Sequence, residues 1–248
     1  ARSSALSVQV TKQMIDAAVH AGADAVKFQK RTPDVSTPET QKSQMRETPW
    51  GYMSYLDYRY RVEFNEEQYR EIDRYSKEKG IAWMVSVWDE PAVDFMEQFD
   101  TPAYKVPSAS LTDHKLLKYT RKTGKPIIIS TGMSTMEQIH KAVNAIGDDN
   151  LVIMHCTSTY PCEPEELNLR MVETLRKEFP QNPIGYSGHE VGLVPSAVAV
   201  ALIHLFRAVA ICQGRLRPLL EFAGIESQAH GAAHVGDGAL IEHQVDDG

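Results

Sequence analysis

Short apolar runs alternate along this chain with longer stretches whose apolar residues recur at helical spacing. The runs lie at residues 23–29, 82–88, 103–108, 126–131, 151–156 and 183–187, and each predicts a buried strand. Between them, Asn65-x-x-Gln68 predicts a helix start and Gly80 its end, while Ser134-x-x-Glu137 predicts a capping box ahead of Met136, Ile139, Val143 and Ile146. Strands alternating with one-faced helices specify parallel βαβ units. A doubly wound sheet would show a glycine-rich first turn, and none is present, so the α/β class narrows to a (β/α)8 TIM-type barrel.

Two of the apolar runs contain a lysine, Lys27 in Ala25-Val26-Lys27-Phe28-Gln29 and Lys105 in Ala103-Tyr104-Lys105-Val106-Pro107-Ser108. One such lysine would ordinarily read as a surface residue. Two in strands of the same kind suggest inward-facing ammonium groups, which are costly to bury unless an anion meets them. The runs also end in polar residues: Gln29-Lys30-Arg31, Ser108-Ala109-Ser110, Ser130-Thr131-Gly132, Thr157-Ser158-Thr159-Tyr160 and Ser187-Gly188-His189. In a barrel the C-terminal strand ends carry the active site, and side chains from alternate strands share a layer, so Lys27 and Lys105 are expected to converge on one anion. A serine after a strand is also an ordinary helix N-cap. His155, inside its run, reads as a core histidine with a hydrogen-bond partner. Cys156 reads as packing, since no basic partner is evident in the sequence. Residues 31–64 form a long insertion expected to be irregular: a lid, a subunit contact or a surface excursion.

A chain of 248 residues can bury one sizeable core. Its formal charge of −7 provides no broad basic field for nucleic acid or an anionic membrane, so any phosphate must be held locally. No apolar run reaches the length of a membrane span, and the first ten residues lack the pattern of a secretory signal. The three cysteines, Cys156, Cys162 and Cys212, are too few and too irregular for a disulfide framework, which suits a reducing cytoplasm. The start at Ala1-Arg2-Ser3-Ser4, directly before helical periodicity, reads as a fragment edge. From about Ile203 the pattern changes: His204, His230, His234 and His243 lack regular ligand spacing, so residues 203–248 are expected to be an atypical tail, frameshifted or disordered, after a barrel spanning 1–202.

Taken together, Ala23-Asp24-Ala25-Val26-Lys27-Phe28-Gln29, the Lys105 run with Ser108-Ala109-Ser110, Ile129-Ser130-Thr131-Gly132-Met133-Ser134, His155-Cys156-Thr157-Ser158-Thr159-Tyr160-Pro161 and Gly185-Tyr186-Ser187-Gly188-His189 resemble the N-acetylneuraminate (sialic acid) synthase family. The resemblance runs from about residue 11 to residue 202. It implies a (β/α)8 barrel that condenses phosphoenolpyruvate with an N-acetylated aldose of the N-acetylmannosamine type, as a transferase of sialic acid biosynthesis. It implies Lys27 and Lys105 as a charge clamp, Gln29, Ser108, Ser130, Ser158 and Ser187 as neutral hydrogen-bond partners of the substrate, and Tyr160 on the sugar side. It also implies His189 as ligand of a divalent metal, manganese or magnesium, and a homodimer in the intact family. The rival expectations are a Schiff-base keto-acid aldolase using Lys27 or Lys105, and a catalytically dead remnant that retains ligand binding.

The departures shape the expectation for this chain. The family's first strand, with its Ala-Glu-Ile-Gly type motif and substrate-binding Glu, has no counterpart ahead of Thr11. Its Glu-Arg-His motif with the second metal-binding His has none after Ile203, and the antifreeze-like C-terminal domain is also missing. Leu220-Glu221-Phe222-Ala223-Gly224 again resembles the family's Leu-Glu-Pro stretch, as a compensated shift of reading frame would produce. The barrel is therefore expected to be incomplete, with an eighth strand at about 208–212, and the chain to be inactive.

Overall fold

Every one of the six apolar runs forms a strand. The computed structural model describes residues 2–160, 162–211 and 241–243, and these fall into two units divided between Thr101 and Pro102.

Unit 1 begins with α1 (Arg2–His20) and β1 (Ala25–Lys30), and closes with α5 (Glu66–Lys79), β4 (Ala82–Val87) and α6 (Glu90–Met96). β1 and β4 run parallel, with Lys27 opposite Met84 and Gln29 opposite Ser86. Because side chains alternate along a strand, Lys27 and Gln29 share one face while Phe28 and Lys30 occupy the other. On the Phe28 side an aromatic cluster of Phe28, Phe64, Tyr69, Trp83, Phe95 and Phe99 packs edge to face and tilted, with ring centroids 5.6–6.4 Å apart. α5 forms for the reasons its ends suggest. Asn65 and Gln68 exchange backbone and side-chain hydrogen bonds at 2.9 Å, and Gly80 takes the left-handed conformation (φ 66°) that ends the helix. Tyr69, Ile72 and Ser76 form its buried face.

The insertion at 31–64 is not irregular. It contains α2 (Pro33–Ser36), α3 (Glu39–Lys42), a two-stranded antiparallel pair of β2 (Met45–Arg46) and β3 (Met53–Ser54), and α4 (Tyr55–Val62). Its order comes from arginine–aromatic stacking, with Arg46 3.8 Å and Arg59 4.6 Å from the Tyr55 ring, rather than from apolar periodicity.

Unit 2 contains a parallel sheet in the order β5 (Tyr104–Val106), β6 (Ile127–Ser130), β7 (Leu151–Cys156), β8 (Ile184–Gly188) and β9 (Ile241–His243). β5 to β8 are buried along their whole length, as expected of parallel strands covered on both faces. The helices are α7 (His114–Arg121), α8 (Met136–Ile146), α9 (Met171–Glu178) and α10 (Val194–Ile211). α8 buries Ile139, Ala142, Val143 and Ile146. Each fully buried isoleucine or valine is worth about 1.5–3 kcal/mol. The cap of α8 is Thr135, one residue beyond the expected Ser134: Thr135 and Gln138 form the capping box, and the Ser134 hydroxyl instead donates to the Gly132 carbonyl at 3.3 Å.

The eighth strand expected at about 208–212 is corrected by the structure. Residues through Ile211 are helical, and β8 pairs instead with β9, Ser187 lying opposite Glu242. The stretch from Ser196 to Ile211 is rich in alanine and holds neither Gly nor Pro, so nothing in it stops the helix. The remaining expectations for the tail fall on residues outside those described.

Candidate functional site

The register of unit 2 places Lys105, Ile128 and Val152 in one row across the sheet, Ser130, Met154 and Gly185 in the next, and Cys156 and Ser187 beyond them, all on one face. Lys105 is only 3% exposed, and its ammonium lies 3.5 Å from the Ser187 hydroxyl, which accepts its hydrogen bond. Ser108, in the short 3-10 turn Ser108–Ser110 that follows β5, accepts from the Gly132 backbone N–H at 3.1 Å. A Cβ at Gly132 would stand 2.2 Å from Ser158 Oγ and 2.8 Å from Ser108 Oγ, so both hydroxyls close directly on this glycine. The next residue, Met133, is held at φ 59°, a conformation that non-glycine residues adopt only when their surroundings impose it. The hydroxyls of Ser130 and Ser158 are buried and have no hydrogen-bond partner, an omission that costs about 1–3 kcal/mol per group.

His189 follows β8. Its Nδ1 lies 2.9 Å from the Thr157 carbonyl, which can only accept, so Nδ1 donates this hydrogen bond. The Tyr160 hydroxyl stands 3.2 Å from Nε2, with the two rings 4.3 Å apart. The loop is fixed from below. The Cys162 N–H donates to the His189 carbonyl at 3.0 Å, and the buried Glu190 carboxylate accepts from Tyr186 at 2.7 Å and Ser196 at 2.8 Å. Cys156 Sγ is 3.6 Å from His189 Nδ1. Burial would push this thiol up, but His189, Ser108 and Lys105 outweigh it and hold it below the ordinary thiol value. The expectation that Cys156 merely packs is therefore corrected: its basic neighbours are distant in sequence and adjacent in space. His155 is the buried core histidine expected, donating to the Leu167 carbonyl at 2.8 Å, and burial pushes its pKa down.

Unit 2 thus brings together Lys105, Ser108, Ser158 and Ser187, places Ser130 on the same face, and sets Tyr160 against His189. Lys27 and Gln29 lie in unit 1 on one face of β1, half-buried. Three further residues there carry polar chemistry that sequence reasoning left unassigned. Ser86 is buried opposite Gln29, Arg31 donates to the Gln29 side-chain oxygen, and Glu63 accepts from the Arg31 backbone at 3.2 Å. The signal for Ser86 was a polar residue within an apolar run, the same one that singled out the lysines. Among the described residues no group of three His, Cys, Asp or Glu side chains could hold a metal ion. His189 offers one nitrogen, so these residues by themselves do not fit a divalent metal. No helix among them is long and apolar enough to cross a membrane.

The NeuB family model matches residues 14–202, a span that includes every one of these site residues. The chain belongs to the NeuB family. Similar proteins include the N-acetylneuraminate-9-phosphate synthase of Homo sapiens, 39% identical over 205 residues, which are 79% of this chain and 55% of that protein. The N,N'-diacetyllegionaminic acid synthase of Legionella pneumophila is 32% identical, over 79% of this chain and 57% of its own. Among solved structures, the spore coat polysaccharide biosynthesis protein SpsE of Bacillus subtilis is 31% identical with a TM-score of 0.61, covering 74% of this chain and 49% of that one. The chain spans about half the length of the curated relatives it matches.

Proposed function

We propose that this NeuB-family chain carries the phosphoenolpyruvate-binding part of a sialic-acid-type synthase built on a (β/α)8 frame. The reaction condenses phosphoenolpyruvate, an N-acetylated aldose and water: C3 of the enol forms the bond to the aldehyde carbon, whose oxygen takes up a proton, the water oxygen adds at C2, and the C2–O bond breaks to release phosphate. The observation that carries the reading is the pair of buried, unpartnered hydroxyls of Ser130 and Ser158, on the sheet face and the glycine turn that also hold Lys105 and Ser108. Phosphate and carboxylate oxygens are acceptors, and they would complete the hydrogen bonds that these donors lack. Lys105 supplies charge, and Ser187 and Ser108 hold its surroundings; Lys27 and Gln29 of unit 1 are proposed as substrate-binding residues on the family resemblance alone. Tyr160 lines the sugar side, and through its hydroxyl it can pass a proton to or from His189 Nε2.

The relatives' names span N-acetylneuraminate-9-phosphate, N,N'-diacetyllegionaminic acid and pseudaminic acid synthases, which supports an acidic amino sugar as the product class. The role of His189 as a metal ligand stays a proposal. It is tested by titrating the chain with manganese and following loss of the His189 ring signals. The free thiols of Cys156 and Cys162 suit the proposed cytoplasmic location.

Calorimetry of the purified chain with phosphoenolpyruvate tests the binding. Heat of binding in the parent that disappears in Lys105→Met supports the reading, and no binding to the parent overturns it. Borohydride trapping of a keto acid on Lys105 or Lys27 would instead assign a Schiff-base aldolase. Turnover is expected to be absent from this chain, and sustained phosphate release with N-acetylmannosamine and manganese would refute that expectation.

A further inference from the structure

At the end of the unit 2 sheet opposite Cys156 and Ser187, where α8 and α9 end and β7 and β8 begin, lies a cavity of about 400 Å³. Its lining is suited to a cation. Two helices bring their C-terminal ends to it, and the last carbonyls of a helix lack intrahelical partners and carry the negative end of its dipole. Arg121 already answers one of them from the α7 side, its Nε donating to the Ile146 carbonyl at 3.0 Å. Asn182 is 9% exposed, and its Nδ2 donates to the Asp148 and Leu151 carbonyls at 2.8 and 3.0 Å. Both amide hydrogens are thereby used, so the side chain offers the cavity an acceptor, Oδ1. Asp148 and Glu178 line the cavity as well, and none of the described residues that do so is Lys or Arg. Glu178 meets His140 Nε2 through Oε2 at 3.2 Å, and among the described residues no donor meets its Oε1. Val143 and Phe179, both buried, form an apolar side.

The volume is far more than a bare metal ion fills, and among the described residues no three His, Cys, Asp or Glu side chains could hold one. An organic cation fits both halves of the lining. We propose that this cavity binds a small aliphatic ammonium ion, its charge taken by Glu178 and the Asn182 oxygen and its methylene groups lying along Val143 and Phe179. A concave site with an apolar side and a few convergent polar groups is the usual form of a small-molecule site, and here the convergent groups are all acceptors apart from His140. The site lies within unit 2 and is independent of the substrate discussed under Proposed function.

The test titrates the full chain at constant pH with putrescine, a four-carbon diamine, and follows the His140 ring-proton signals by NMR, assigned by their loss in His140→Gln. Saturable movement with a Kd of about 1 mM is expected. Butanediol, an uncharged chain of the same length, should produce none. Glu178→Gln should weaken putrescine binding about tenfold, and Asn144→Trp should abolish it by filling the cavity from α8. Glu137→Gln removes the same charge from α8 outside the cavity, where Glu137 pairs with Lys141 at 2.7 Å, and should bind as the parent does. All three substituted residues are exposed, so the core is left intact. No saturable movement in the parent, or an equal response to butanediol, would overturn the site. Equal weakening by Glu137→Gln and Glu178→Gln would also overturn it, reducing the binding to the general attraction of an acidic chain for cations.

Discussion

In unit 1, Lys30 and Arg31 follow one another at the end of β1 and both meet the carboxylate of Glu63 at 3.8 Å. In unit 2, Lys105 meets the hydroxyl of Ser187 at 3.5 Å, in a cluster where two buried serine hydroxyls lack partners. The first cluster contains opposite charges that face one another, although two Arg31 guanidinium nitrogens, Nε and Nη1, are buried there without a hydrogen bond. That pairing is not cheap. Burial pushes the Glu63 carboxyl up and the Lys30 ammonium down even though each faces an opposite charge, because contacts at 3.8 Å recover less than desolvation removes. The second cluster is rich in neutral donors whose hydrogen bonds are unfinished. A cluster of the first kind holds a fold together, and one of the second kind is, on the function proposed above, completed by an anion.

Removing the carboxylate from the internally paired cluster should have the largest effect. Glu63→Ala removes the carboxylate that Lys30 and Arg31 share, with Asp89 the remaining counter-charge felt by Lys30, and should cost about 3–5 kcal/mol of stability in chemical denaturation. A loss below about 1 kcal/mol would mean that the pairing is incidental. Lys105→Met should do the opposite: phosphoenolpyruvate affinity falls about 100-fold while stability is unchanged or rises, since an apolar chain of similar volume replaces a buried charge. If Lys105→Met unfolds the chain as Glu63→Ala does, the two clusters are of one kind.

Gly132→Ala sharpens the unit 2 side. Its methyl must displace the hydroxyls of Ser158 and Ser108, and should weaken phosphoenolpyruvate binding about tenfold, with part regained in the double variant Gly132→Ala, Ser158→Ala. The pH dependence sharpens the unit 1 side. Glu63 has a folded pKa above its ordinary 4.5, so its contribution to stability is full below that value and is lost as pH rises through the raised one. Glu63→Gln should remove this slope, and a parent-like pH profile would contradict the burial argument. The smallest effects are at the helix caps, which should not distinguish the units. Asn65→Ala and Thr135→Ala should each cost about 1 kcal/mol, and Ser134→Ala no more than about 0.5.

Much of the fold was legible because its signals are local. The six strands, the Asn65–Gln68 box and the Gly80 stop each depend on residues a few positions apart. The same reasoning slipped by one residue at α8, where two adjacent hydroxyl residues, Ser134 and Thr135, compete for the cap and the outcome depends on which one Gln138 can reach. It failed on the insertion, whose order comes from arginines stacked on tyrosines without an apolar period. The site was legible in part. Lys105 was marked by a charge in an apolar run, but nothing near Cys156 in the sequence announces His189, which lies 33 residues away.

The sequence by itself determined the parallel α/β class, the strands and most helix ends, and the polar residues at the strand ends, because hydrophobic periodicity and capping act over one or two turns of chain. Only the tertiary structure decided which donors are satisfied. Glu63 closing on Lys30 and Arg31, Cys156 meeting His189 and the unfinished hydroxyls of Ser130 and Ser158 all depend on strand register and loop closure, which bring together residues whose separation along the chain carries no record of their contact.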